Sequence, residues 1–248
     1  MKMMIHPTID NLKILKLHAM ASALENQVEL RNSQELSFEE RLGILVDAQL
    51  AAQDSTKLTA RLRAANLRLS ACLEDLDYKP GRGLDKAVIA SLATSVWLQR
   101  ARNVIIEGKT GVGKTFLACA LAQQACRNGY KAFYIRAPAL FEDLALARAD
   151  GRYKSVLASI AKKDLLVLDD FAIAPLTDSQ RRDLLEIVEQ RYERSSTILV
   201  SQMPQKHWHQ IIGDPTIADA ILDRLVHNAQ PLILDGESIR KTKAAAKG

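Results

Sequence analysis

The sequence has few cysteines, no long apolar run and no strong excess of one charge. Among its 248 residues are three cysteines, Cys72, Cys119 and Cys126, none with the CxxC or Cys/His spacing that holds zinc. This excludes a disulfide scaffold and fits thiols kept reduced in the cytoplasm. No stretch approaches the roughly 18 consecutive apolar residues of a membrane-spanning helix. Lys2, His6, Asp10, Lys13 and Lys16 interrupt the first 20 residues, which excludes a secretory signal. The expected setting is therefore cytoplasmic, with no membrane partner. A hydrophobic share of 48% and a charged share of 25% exclude disordered and collagen-like classes. The length suits one α/β core with a smaller accessory region.

The net charge of +5 permits a nucleic-acid partner without requiring one. Its distribution says more. The stretch from Lys57 to Ser70 carries Arg61, Arg63 and Arg68 with no acid, and the end of the chain carries Arg240, Lys241, Lys243 and Lys247. Such runs are either solvated faces or contacts to backbone phosphate.

Residues from about 8 to 74 read as helical. Leu12, Leu15, Met20, Leu24 and Val28 recur at helical spacing, followed by Leu42, Leu45, Val46 and Leu50, then Leu58, Leu62, Ala65 and Leu69. Ser37 with Glu40 has the form of a capping box. Residues 78–83, Tyr-Lys-Pro-Gly-Arg-Gly, break this pattern and read as a linker. The expected division is a helical domain over 1–77, a nucleotide-binding domain over 78–240 and a basic tail over 241–248. Leu84 to Arg100 reads as one amphipathic helix.

From Asn103 short apolar strands alternate with helices. Strands are expected at Val104–Glu107, Ala132–Ile135, Leu165–Asp169, Ile198–Ser201 and Leu232–Leu234. The intervening helices are expected near Lys114–Asn128, Pro138–Ala149, Tyr153–Ala161, Thr177–Arg194 and Ile217–His227. Alternation of this kind predicts an α/β fold, a parallel sheet with helices on both faces. Thr177 with Gln180 forms a second capping-box candidate.

The run Gly108-Lys109-Thr110-Gly111-Val112-Gly113-Lys114-Thr115 fits G-x-x-x-x-G-K-[ST] between a strand and a helix. Glycines let the backbone close around phosphates with its N–H groups inward, and the helix adds its positive end. Lys114 is expected at the β and γ phosphates of ATP and Thr115 at Mg²⁺. Leu165 to Asp170 supplies a buried strand with two acids at its C-terminal end, where ligands of open α/β sheets bind. Asp169 is placed to hold Mg²⁺, and Asp170 to orient the attacking water or, alternatively, to cap the loop. His207-Trp208-His209 lacks acidic or cysteine company and reads as a packed helix start.

With these motifs in order, the chain resembles the IstB-like transposition helper ATPases, AAA+ proteins related to the helicase loader DnaC. The resemblance rests also on Leu73 to Asp77, Arg191-Tyr192-Glu193, Ser201 to Pro204 with Trp208, Ala220 to His227 and Gly236 to Arg240. It implies an AAA+ sheet, an N-terminal helical domain for partner contacts and no C-terminal lid domain. Ser201 falls at the sensor position that reads the γ-phosphate, unless it is a strand-end hydroxyl satisfied by backbone. Arg224 falls at the arginine finger position facing a neighbouring subunit, unless it pairs with Asp219 or Asp223. Arg240 resembles a nucleotide-sensing arginine. Arg148, Arg152 and Lys154 lie at the break between two crossover helices, where the related initiators and loaders face nucleic acid. Ala172 departs from the Gly common at that position.

The function implied is an ATPase that forms a homo-oligomeric ring or spiral on DNA when ATP is bound and assists a transposase. DNA would be held mostly through its backbone, with little sequence reading. A DnaC-like helicase loader is the alternative, and a small-molecule P-loop kinase a more distant one.

Overall fold

The computed structural model describes residues 5–29 and 36–239. The chain divides into two compact units, Met1–Ala60 and Arg61–Gly248. Residues 61–77, grouped by sequence with the helical segment, thus belong to the second unit. Arg240 and the basic tail lie outside the described residues.

The first unit is helical: α1 (Ile5–Ile14), α2 (His18–Glu29) and most of α3 (Phe38–Ala65). Lys16, with φ 61°, turns the chain between α1 and α2. Ser37 and Glu40 form the expected capping box: the Ser37 N–H donates to Glu40 Oε2 at 2.8 Å and the Glu40 N–H to Ser37 Oγ at 3.2 Å. Ile9, Ala21 and Leu45 are buried, whereas Leu15 and Phe38 are about two-thirds exposed.

The second unit is a five-stranded sheet in the order β2-β3-β4-β1-β5, parallel throughout. Ahead of it come α4 (Lys86–Ala93) and α5 (Val96–Gln99), where sequence predicts one helix. The break is Ser95, at φ 60°. It turns Trp97 and Leu98 into the core, and the Trp97 indole N–H donates to the Leu92 carbonyl at 2.9 Å. The alternation then runs β1 (Val104–Gly108), α6 (Lys114–Arg127), β2 (Ala132–Arg136), α7 (Ala137–Ala149), α8 (Tyr153–Ala161), β3 (Leu165–Phe171), α9 (Asp178–Arg191), β4 (Ser196–Ser201), α10 (Trp208–Ile212), α11 (Pro215–Val226) and β5 (Gln230–Leu234). All five expected strands are present. Thr177 and Gln180 form the second capping box, at the start of α9.

β1, β3 and β4 are apolar on both faces because helices cover both. Ile105, Leu166, Leu168 and Leu199 join Leu140, Leu144, Leu184 and Ile221 in one core. Trp208 is fully buried there; its indole N–H donates to the Met203 carbonyl and its ring meets Phe171 edge-on at 4.7 Å. That contact anchors the C-terminal end of β3, where the acids sit. Among the described residues no helix is long and apolar enough to cross a membrane, and no cluster of three or more His, Cys, Asp or Glu could hold a metal.

Candidate functional site

A cavity of about 540 Å³ opens at the C-terminal edge of the sheet. The phosphate loop gives it Thr110, Gly111, Gly113 and Lys114. Gly108, at φ 148°, passes so close to β5 that a Cβ there would stand 2.2 Å from the Leu234 carbonyl oxygen. Gly113, at φ 103°, begins α6 in a conformation that L side chains rarely adopt. Glycine at both positions lets the loop fold this closely against its surroundings, with the positive end of α6 behind it.

Lys114 is 8% exposed, and its ammonium donates to the Gly108 and Lys109 carbonyls at 2.6 and 2.8 Å. The Thr115 hydroxyl donates to Asp169 Oδ2 at 2.8 Å. Asp169 is 1% exposed, and its Oδ1 accepts the Asp170 N–H at 2.8 Å. Asp170 lines the same cavity. Hydroxyl and carboxylate oxygens are the hard donors that magnesium takes, in the small number it accepts beside phosphate and water. Thr115 and Asp169, each expected at Mg²⁺, thus stand side by side in space, 54 positions apart in sequence.

The β3–β4 register slips between Leu168 and Phe171. Asp170 and Ala172 there adopt φ of 54° and 57°. A left-handed conformation at Ala172 explains why glycine suits this position, and it costs an alanine on the order of 1–2 kcal/mol.

Ser201 is not brought to the cavity. It is fully buried, donates to the Phe171 carbonyl at 2.8 Å and accepts the Met203 N–H at 3.1 Å. Strand alternation instead sends Val200 and Gln202 to the cavity, where Gln202 Oε1 accepts the Thr110 hydroxyl at 2.6 Å. Sequence reasoning missed Gln202 because β4 is buried on both faces and shows no polar alternation.

It also missed Arg82. The expected linker is strapped onto the site: Arg82 donates to the Val112 carbonyl at 2.9 Å and pairs with Asp77 at 3.3 Å. The Asp235 N–H reaches the Arg82 carbonyl at 3.2 Å, and the Ile239 N–H reaches Gly111 at 3.0 Å. A Pro-Gly-Arg-Gly run has the same turn chemistry whether it is free or docked, so sequence alone did not separate the two.

Arg224 does not line this cavity. It pairs with Glu189 of α9 at 2.7 Å, donates to the Ala220 carbonyl at 2.8 Å and sits 5.7 Å from the Tyr192 ring centre. Neither Asp219 nor Asp223 is its ion-pair partner.

The candidate DNA residues scatter. Arg148 is tied to Asp183 at 2.5 Å and lies over the Tyr153 ring, and Arg152 pairs with Asp150 at 2.5 Å. Lys154 and Arg63 are exposed. Arg61 donates to the Cys126 carbonyl at 2.9 Å. Arg68 departs furthest from a basic-face reading, because it lines the phosphate-loop cavity.

A family model described as IstB-like ATP binding protein matches residues 10–246. The chain belongs to this family. It is 47% identical over 241 residues to an insertion-sequence ATP-binding protein of Sinorhizobium fredii, covering 97% of this chain and 98% of that one. Among solved structures it is similar to AMPPCP-bound DnaA from Aquifex aeolicus, with a TM-score of 0.57 at 21% identity over 73% of this chain and 56% of that one. It is also similar to the DnaC helicase loader, with a TM-score of 0.52 at 21% identity over 71% of this chain and 99% of that one. The structural likenesses show that this IstB-like chain shares its fold with DnaA and the DnaC loader, and the family gives ATP as its ligand.

Proposed function

We propose that this IstB-like chain hydrolyses ATP with Mg²⁺, assembles as a homo-oligomer on DNA and assists a cognate transposase. The observation that carries the hydrolytic part is the part-buried Thr115–Asp169 pair at the end of the phosphate loop, with Asp170 lining the same cavity. Thr115 and Asp169 would hold Mg²⁺, which would supply charge neutralisation across the β and γ phosphates. Lys114 would exchange its loop carbonyls for phosphate oxygens. Asp170 would orient the attacking water and draw on its proton. The insertion-sequence names of the relatives support the transposition part.

Arg224 stands outside its own chain's cavity, which supports a role toward the nucleotide of a neighbouring subunit. ATP would then favour assembly, because Arg224 gains a γ-phosphate partner only across an interface, and hydrolysis would loosen it. ATP acts here as a timer rather than as a phosphoryl donor.

The experiment is Asp170→Asn on DNA. Nucleotide affinity is expected to stay near wild type while hydrolysis slows, leaving long-lived ATP-bound complexes that retain the cognate transposase in a pull-down. Normal hydrolysis would remove Asp170 from its role. Retention of replicative helicase instead of transposase would replace the transposition reading with a loader.

A further inference from the structure

Tyr134 and Arg68 have no part in the chemistry described so far, yet both converge on the magnesium carboxylate. Tyr134 sits on β2, which pairs with β3 so that Tyr134 opposes Val167 and Arg136 opposes Asp169. The residue is 5% exposed, and its hydroxyl donates to Asp169 Oδ2 at 2.7 Å. This is the oxygen that also takes the Thr115 hydroxyl at 2.8 Å, while Oδ1 takes the Asp170 N–H. A carboxylate otherwise turns about its Cβ–Cγ bond. Donors on both oxygens fix its plane.

The phenol O–H is spent on Asp169, which leaves a lone pair on the phenol oxygen. The Arg68 guanidinium lies on the cavity lining that Asp169 and Asp170 share, and it faces the phenol oxygen and the charges of both acids. A cation facing a hydroxyl oxygen strengthens that hydroxyl's donation to its own acceptor. Arg68 reaches this point from the cavity wall, beside Thr115, Asp169 and Asp170.

We propose that Tyr134 and Arg68 form a positioning relay that presents Asp169 to the magnesium ion of bound ATP, Arg68 being a cation supplied by the same chain at the metal end of the cavity. The proposal rests on Asp169 being the metal carboxylate. It goes beyond that reading by assigning an outer pair that sets the carboxylate's orientation and basicity, as partners of metal ligands do elsewhere.

The test titrates Mg²⁺ against binding of a fluorescent ATP analogue, with affinity in EDTA as the metal-free reference. Tyr134→Phe keeps the ring and removes the donor. It is expected to raise the Mg²⁺ concentration for half-saturation on the order of tenfold. Affinity in EDTA stays unchanged, and turnover recovers at high Mg²⁺. Arg68→Gln is expected to shift it in the same direction by less. A purely structural role would lower the thermal midpoint without moving the Mg²⁺ dependence. Asp169→Asn separates the two levels of the argument. Wild-type Mg²⁺ dependence in Asp169→Asn would overturn the metal assignment and the relay with it. A shift in Asp169→Asn with none in either folded relay variant overturns the relay alone. Should Tyr134→Phe fail to fold, Arg68→Gln decides, since Arg68 is an exposed residue.

Discussion

The phosphate-loop cavity and the Arg224 patch belong to the same compact unit but differ in completeness. The cavity draws its loop, its hydroxyl–carboxylate pair and its flanking cations from one chain. The patch offers a cation held by Glu189 and Tyr192, with its Nε buried and unbonded. A buried guanidinium N–H without an acceptor costs free energy. The cavity is thus a site that a ligand can fill unaided. Arg224 is parked, with part of its hydrogen-bonding capacity unused, on a surface that lacks a phosphate loop.

The largest expected effect is at the complete site. Lys114→Ala removes the point charge for the β and γ phosphates and is expected to abolish ATP binding by equilibrium titration. Affinity within a few-fold of wild type would undo the contrast from the cavity side.

The next tests the incomplete site. Arg224→Ala keeps an intact phosphate loop and is expected to bind ATP. Turnover is expected to fall by roughly 10³–10⁵, the range of arginine fingers. Mixing it with Lys114→Ala pairs an intact pocket with an intact finger, so part of the ATPase activity is expected to return. No recovery in mixtures that co-assemble would place Arg224 in its own subunit's packing.

A smaller effect separates paired from unpaired basic residues. Lys154→Ala is expected to lessen the salt dependence of DNA binding by about one in log–log slope. Arg148→Ala, which takes the ion-pair partner from the buried Asp183 and leaves it the Tyr153 hydroxyl alone, is expected to lower the thermal midpoint instead. An equal slope change in both would make the crossover break one DNA surface.

The smallest effect concerns Ala172. Glycine there relieves roughly 1–2 kcal/mol of left-handed strain. It also loses a buried methyl worth about 0.8 kcal/mol and loosens the unfolded chain. Denaturant unfolding of Ala172→Gly is expected to stay within about 1 kcal/mol of wild type. A larger gain would mean that the β3 turn carries more strain than its φ alone implies.

Sequence by itself determined the elements whose signals are local. The phosphate loop, the apolar strand ending in Asp169-Asp170, the capping boxes at Ser37 and Thr177 and the strand–helix rhythm each occupy a few consecutive residues with fixed spacing. The parallel fold followed from them. Tertiary structure alone decided which side chains meet at the cavity. Gln202 and not Ser201 lines the cavity because neighbouring residues of a strand point to opposite faces, and a strand buried on both leaves no polar rhythm to read. Arg68, Arg82 and Tyr134 come from a supposed basic face, a supposed linker and a strand interior. Each was invisible because its partner lies 30 or more positions away. A hydrogen bond across that span is set by the packing of β2 on β3 and of the 77–83 strap on the loop, and nothing in the residues beside it records where it will close.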